Sequence, residues 1–135
     1  MKHIDINQLF LQTRFRSESS DFPAEFWLVT AYNPNGIDFS DELNRAADFR
    51  LFQELDKHGQ KPIRITGVSP DELHSEVGWG AIIDETAALK LGRQFQQLAV
   101  FHFLPARIDL VDCRDATRIT LGARADRILS QEAPI

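Results

Sequence analysis

The chain has 135 residues, 43% hydrophobic and 26% charged, a composition of one globular domain rather than a disordered segment. Twenty acidic and fifteen basic residues leave a net charge of -5, which disfavours nucleic acid as a partner, because non-specific affinity for it comes mostly from cations neutralising phosphates. Cys113 is the single cysteine, so an internal disulfide and a multi-cysteine metal site are excluded. No apolar run approaches the roughly 20 residues that cross a bilayer, and MKHIDINQLF lacks the apolar core of a signal peptide. A soluble, cytoplasmic protein without membrane contact is expected.

In IDINQLFLQTRF, Ile6, Leu9, Phe10 and Thr13 fall at helical spacing, which predicts an N-terminal amphipathic helix over 4–15. RSESSDFPAE (16–25) reads as a loop. FWLVTAY (26–32) is aromatic and β-branched with both faces apolar, the pattern of a strand covered on both sides. It stops at Asn33-Pro34-Asn35-Gly36, a dense turn signal. Ser40 before Asp41 and Glu42 starts a helix that runs to residue 57, and His58 and Gly59 supply its end. KPIRITGV (61–68) is a second strand, SPDELHS a loop and EVGWGAII (76–83) a third strand. Gly78 and Gly80 share one face of that strand, which points to a bulge or a close neighbour over it.

Asp84 caps a helix over 85–98, with Ala87, Ala88, Leu91, Phe95 and Leu98 in one arc. AVFHFL (99–104) and RIDLVDC (107–113) are two further strands. Residues 114–135 are rich in Arg and Asp and only weakly apolar. They read as a tail outside a domain of residues 1–113, partly helical over 123–131. The order α, β, α, β, β, α, β, β contains a split βαβ arrangement. The expected fold class is therefore α+β, a small single ferredoxin-like domain with an extra C-terminal strand and an N-terminal helix.

Tyr32-Asn33-Pro34, Asn44, Gly67 with Ser69-Pro70, Glu76, and Phe95-Gln96-Gln97-Leu98-Ala99 follow one another along the chain. With these in order, the sequence resembles the bacterial DUF3293 family over roughly residues 10–113. The pattern of that family has a strand ending in an aromatic followed by Asn-Pro, then a helix opening with Glu-Asn. A Gly-x-x-Pro loop, a Glu before a strand and a helix ending Phe-Gly-Gln-x-Ala come next. Two departures stand out: Leu43 separates Glu42 from Asn44, and Gln96 stands where the family has glycine. The resemblance implies a small α+β domain with recurring polar positions, and no assigned activity.

Each polar position admits a plain reading and a functional one. Asn33 is a turn residue bonding nearby backbone, or an amide presented at the mouth of a cleft. Asn44 falls inside the apolar stripe of Leu43, Ala47, Leu51 and Leu55. A buried amide without partners costs about 1–3 kcal/mol, so Asn44 needs partners, which the turn at 33–36 could supply. Glu76 opens an apolar strand: it is a surface carboxylate, or, if buried with a raised pKa, the general-base candidate. Gln97 lies opposite the apolar arc and is either solvated or bonded to backbone at the helix end; the resemblance adds weight to a role for it. His74-x-Glu76 matches part of a zinc-deaminase motif whose Pro-Cys-x-x-Cys is absent. His102 reads as a satisfied sheet histidine, and Cys113 as a small hydrophobe. Arg114, Arg118, Arg124 and Arg127 are interleaved with Asp112, Asp115 and Asp126, a self-compensated set rather than a phosphate patch. Walker A, G-x-G-x-x-G, G-x-S-x-G, H-E-x-x-H and EF-hand patterns are absent, so neither metal nor cofactor is expected.

Two functions of different class follow. One is a binding or interaction module that forms a homodimer through an uncovered sheet face. The alternative is a small-ligand site, for a nucleotide-like or amide-bearing metabolite, built from Tyr32, Asn33, Asn44 and Gln97, with Glu76 as the catalytic group if chemistry occurs. Convergence of Asn33, Asn44, Glu76 and Gln97 on one cavity would favour the second.

Overall fold

The computed structural model describes residues 12–17, 22–57, 59 and 61–129. Their strands are β1 (Arg14–Ser17), β2 (Phe26–Thr30), β3 (Ile63–Val68), β4 (Ser75–Ala81), β5 (Ala99–Phe103), β6 (Arg107–Asp112) and β7 (Arg118–Ala123). The helices are α1 (Asp41–Lys57) and α2 (Glu85–Gln94). All seven strands join one sheet in the order β1-β3-β4-β2-β5-β6-β7, and every neighbouring pair is antiparallel.

Period-two alternation sorts the side chains onto two faces. Trp27 and Val29 of β2 point to the outer face, where they pack with Leu51 and Leu55 of α1 and Ala88 and Leu89 of α2. Phe26 and Leu28 point to the inner face, where they meet Phe15, Ile65, Phe103, Ile108, Leu110 and Leu121. The sheet curls around this second cluster. Gly80 permits a close approach there: a Cβ would lie 2.9 Å from Ile65 and 3.0 Å from Phe26. Beyond β7 the chain returns to β1. The Phe15 amide donates to Arg127 O at 2.7 Å, and the Leu129 amide donates to Phe15 O at 2.8 Å. The Arg127 guanidinium ties the same seam, donating to Thr13 O and Leu121 O.

The ferredoxin-like expectation with an N-terminal helix is overturned. The molecule is mostly a curled antiparallel sheet of seven strands, with two helices among the described residues. Arg14 to Ser17, the first two of which fall within the predicted helix, form β1, in which buried Phe15 and Ser17 alternate with Arg14 and Arg16; the part before residue 12 lies outside the described residues. Two aromatic-rich faces cannot both be covered by helices on one side, and curling buries the second against itself. Residues 118–123 add β7, whose apolar signal is weak because Leu121 alone is fully buried in it. Residues 124–126 form one 3-10 turn.

Local signals explain the helix limits. Ser40 Oγ accepts the Leu43 amide at 3.2 Å, and Asp84 Oδ1 accepts the Ala87 amide at 2.8 Å, each satisfying a first-turn donor. The buried side of α1 is Asn44, Ala47, Asp48, Leu51 and Leu55, whereas Leu43, placed in the stripe from sequence, is 56% exposed. α2 ends at Gln94 rather than 98 because Gln96 turns left-handed at φ 58°, which leaves Leu98 at the surface.

Candidate functional site

At the end of β2 the backbone leaves the sheet through Asn33, in left-handed conformation at φ 48°, and a 3-10 turn over Pro34–Gly36. The backbone amide of Asn33 donates to Asn44 Oδ1 at 2.9 Å. That bond fixes the Asn44 carboxamide, so its Nδ2 donates to Asn33 Oδ1 at 2.9 Å and to Phe39 O at 3.3 Å. Asn33 Oδ1 also accepts the Phe39 amide at 3.0 Å. With its oxygen engaged twice, Asn33 can present only its Nδ2, which donates to Glu76 Oε2 at 3.2 Å. Two backbone amides thus orient both carboxamides, and the chain of bonds ends on a carboxylate.

Glu76 stands opposite Gly67 across the β3–β4 pairing and on the same face as Gly78. Beside it the inner face leaves a cavity of about 190 Å³. Its walls include Leu28, Val68 and Phe101, with Gly67 and Gly78 as floor, and Thr13, Thr30, Ser69, His74 and Ser75 at the rim. The space exists where side chains are missing. A Cβ on Gly78 would press to 2.7 Å from Val29 O, whereas one on Gly67 would meet nothing nearer than 3.4 Å. Burial pushes the Glu76 carboxyl above its ordinary value, the Asn33 bond pulls it back, and Asp38 adds to the rise. Among the described residues Glu76 accepts this one side-chain bond and forms no ion pair.

The other two proposed contacts go elsewhere. Gln97 Nε2 donates to Tyr32 O at 3.0 Å and Phe95 O at 3.2 Å, tying the end of α2 to the end of β2. The Tyr32 phenol is raised by burial and then by Asp48, with Arg64 and Arg45 opposing; these are groups of α1 and β3 on the outer side, away from the cavity. Asn33, Asn44 and Glu76 are therefore joined by hydrogen bonds, but of the three only Glu76 lines the cavity, and Tyr32 and Gln97 brace them through backbone.

A family model described as a protein of unknown function, DUF3293, matches residues 29–100, which is more than half of the chain. The chain belongs to the DUF3293 family. No curated protein and no solved structure matches it. The matched part of this DUF3293 protein runs from β2 to β5 and contains the Asn33–Asn44–Glu76 chain, Gly67 and Gln97.

Mostly outside the match lies a second polar network that sequence reasoning did not assemble. His102 stacks on Trp27 with centroids 3.8 Å apart. Its Nδ1 faces Arg118 Nη1 at 3.0 Å, and Nε2 faces Glu25 Oε2 at 2.7 Å. An arginine can only donate, so Nδ1 accepts and Nε2–H is the donor to Glu25. Arg118 also bonds Asp109 Oδ2 at 3.0 Å and Glu85. The register Trp27–His102–Asp109–Thr120 across four strands was the signal for it. Arg124 is spent on the carbonyls of Pro23, Ala24 and Leu104, and Arg114 on Asp112, so these arginines staple the fold. Among the described residues no group of three His, Cys, Asp or Glu is placed to hold a metal, and no helix is long and apolar enough to cross a membrane.

Proposed function

We propose that this DUF3293 protein binds a small molecule in the mouth of its curled sheet, with Glu76 as the half-buried ionisable contact held ready for it. The observation that carries the reading is a half-buried carboxylate that lines a cavity while a single amide holds one of its oxygens. A glutamine would accept the same bond from Asn33 without the cost of burying a charge. A perturbed carboxyl in a concave site is a candidate for function on physical grounds. The cavity of about 190 Å³ is somewhat larger than the roughly 150 Å³ that holds benzene in an engineered core. It suits a single ring with a short substituent. Glu76, whose carboxyl is raised by burial, is the general-base candidate there. The dimer reading has less support, because it needs an uncovered sheet face and the inner face is filled by Phe15, Phe26, Phe103 and Leu110.

The test is ligand-observed NMR with a set of single-ring fragments on wild type, Gly67→Ala and Gly67→Val. Position 67 has room for a Cβ, so Gly67→Ala is expected to fold, and melting checks the fold of both variants. Mutually competing fragments should bind wild type and be lost in Gly67→Val. The absence of such fragments, or their indifference to Gly67→Val, counts against the reading.

A further inference from the structure

We infer that the ligand class of this cavity is a small protonated amine: an apolar ring or branched group joined to a cationic nitrogen that donates to the free oxygen of Glu76. The inference rests on the ligand reading above and adds the charge and the polarity of the occupant. Three observations carry it. First, the only side-chain bond that Glu76 accepts among the described residues comes from the neutral Asn33 amide. Among the described residues no lysine or arginine balances its charge, and the charged group that acts on it is another carboxylate, Asp38. Second, the other ionisable residue at the rim, His74, acts on Asp71 and not on Glu76. Third, Leu28, Val68 and Phe101 give the rest of the cavity an apolar lining, with an aromatic ring among it.

Each alternative class meets a physical obstacle. An anion would enter a field set by Glu76 and Asp38, with no lysine or arginine of the described residues lining the cavity to receive it. A neutral acceptor, such as a ketone, would face a carboxylate that has only lone pairs to offer when ionised. A plain hydrocarbon would leave a partly desolvated carboxylate oxygen without a donor, which is the costly state. An ammonium group removes all three difficulties. It forms a charge-assisted hydrogen bond inside a low-dielectric wall, and Phe101 offers a ring face or edge to the methylene or the cation. The clasp prepares the partner, since Asn33 is turned by Asn44 and Phe39 to hold one carboxylate oxygen while the other stays available.

Benzylamine, benzyl alcohol, toluene and benzoate share a ring and differ in the group presented to Glu76. Their affinities are measured by protein-observed NMR at pH 7 on wild type, Glu76→Gln and Gly67→Val. Glutamine keeps the acceptor for Asn33, and melting confirms the fold of each variant. Benzylamine is expected to bind about tenfold or more tightly than benzyl alcohol, the scale of one charge-assisted bond. Benzoate is expected to be the weakest. Glu76→Gln should erase the preference for the amine, and Gly67→Val should abolish binding of all four. If toluene, the alcohol or benzoate binds as well as the amine, or the preference survives Glu76→Gln, the amine assignment is overturned while the cavity reading stands. If none of the four binds, or Gly67→Val leaves binding intact, both fall together.

Discussion

Asn44 is a buried polar residue on the core side of a helix, and it holds its place because both halves of its carboxamide are occupied. Asn44→Ala leaves the Asn33 backbone amide and Oδ1 short of a partner. A loss of about 1–3 kcal/mol is expected, read by denaturant melts, together with faster hydrogen exchange in residues 33–39. A melt unchanged within error would mean that solvent replaces the amide freely. Glu76 behaves in the opposite sense. Its folded pKa is raised by burial, so its contribution is fully present below the ordinary carboxyl value and is lost as pH rises through the folded value. Glu76→Gln should therefore melt higher than wild type at pH 7, and the two curves should converge as pH falls to about 4. Curves that stay parallel across that range would sink this account of the carboxyl.

Helix ends and strand pairs were legible to different degrees. The limits of α1 could be read because Ser40, the acids behind it and Gly59 act within one turn of their positions. The end of α2 was misplaced because an apolar arc continues through Leu98, while the backbone is stopped by Gln96 at φ 58°. Glycine would suit that angle, since left-handed backbone costs a residue with a Cβ about 1 kcal/mol or more. Gln96→Gly is expected to raise Tm by roughly 3 °C, measured by calorimetry. A fall would show that the exposed glutamine side chain is itself in use. Strand β1 escaped notice because Phe15 alternates with two arginines over four residues only, too short a run to outweigh helical spacing upstream. The members of the site were legible one by one, since an amide in an apolar stripe and an acid opening a strand are each anomalous. Their mutual bonds were not, because they join positions that only the sheet order brings together.

For the whole molecule, the inner cluster and the seam are one device. Curling buries Phe15, Phe103 and Ile108 completely, and the return of residues 127–129 to β1 holds the curl in place. No local pattern announces a pairing between the two ends of the described chain. Arg127→Ala removes the bonds to Thr13 O and Leu121 O. The Phe15 and Leu129 amides should then exchange faster, while Val29, in the middle of the sheet, keeps its protection. Uniform acceleration across all strands would mean instead that the seam is part of the global unfolding unit.

The seam has a topological consequence. Because Phe15 and residues 127–129 lie on adjacent backbones, the order of the fold along the polypeptide is close to a closed loop, and the place where it is cut matters little to the packing. A circular permutant opened in the exposed turn around Glu72, with a flexible linker running from beyond Leu129 to before Thr13, should recover the same sheet. In that form the Asn33–Glu76 clasp would sit beside a chain end, and the rim of the cavity could be lengthened, trimmed or labelled without touching a strand.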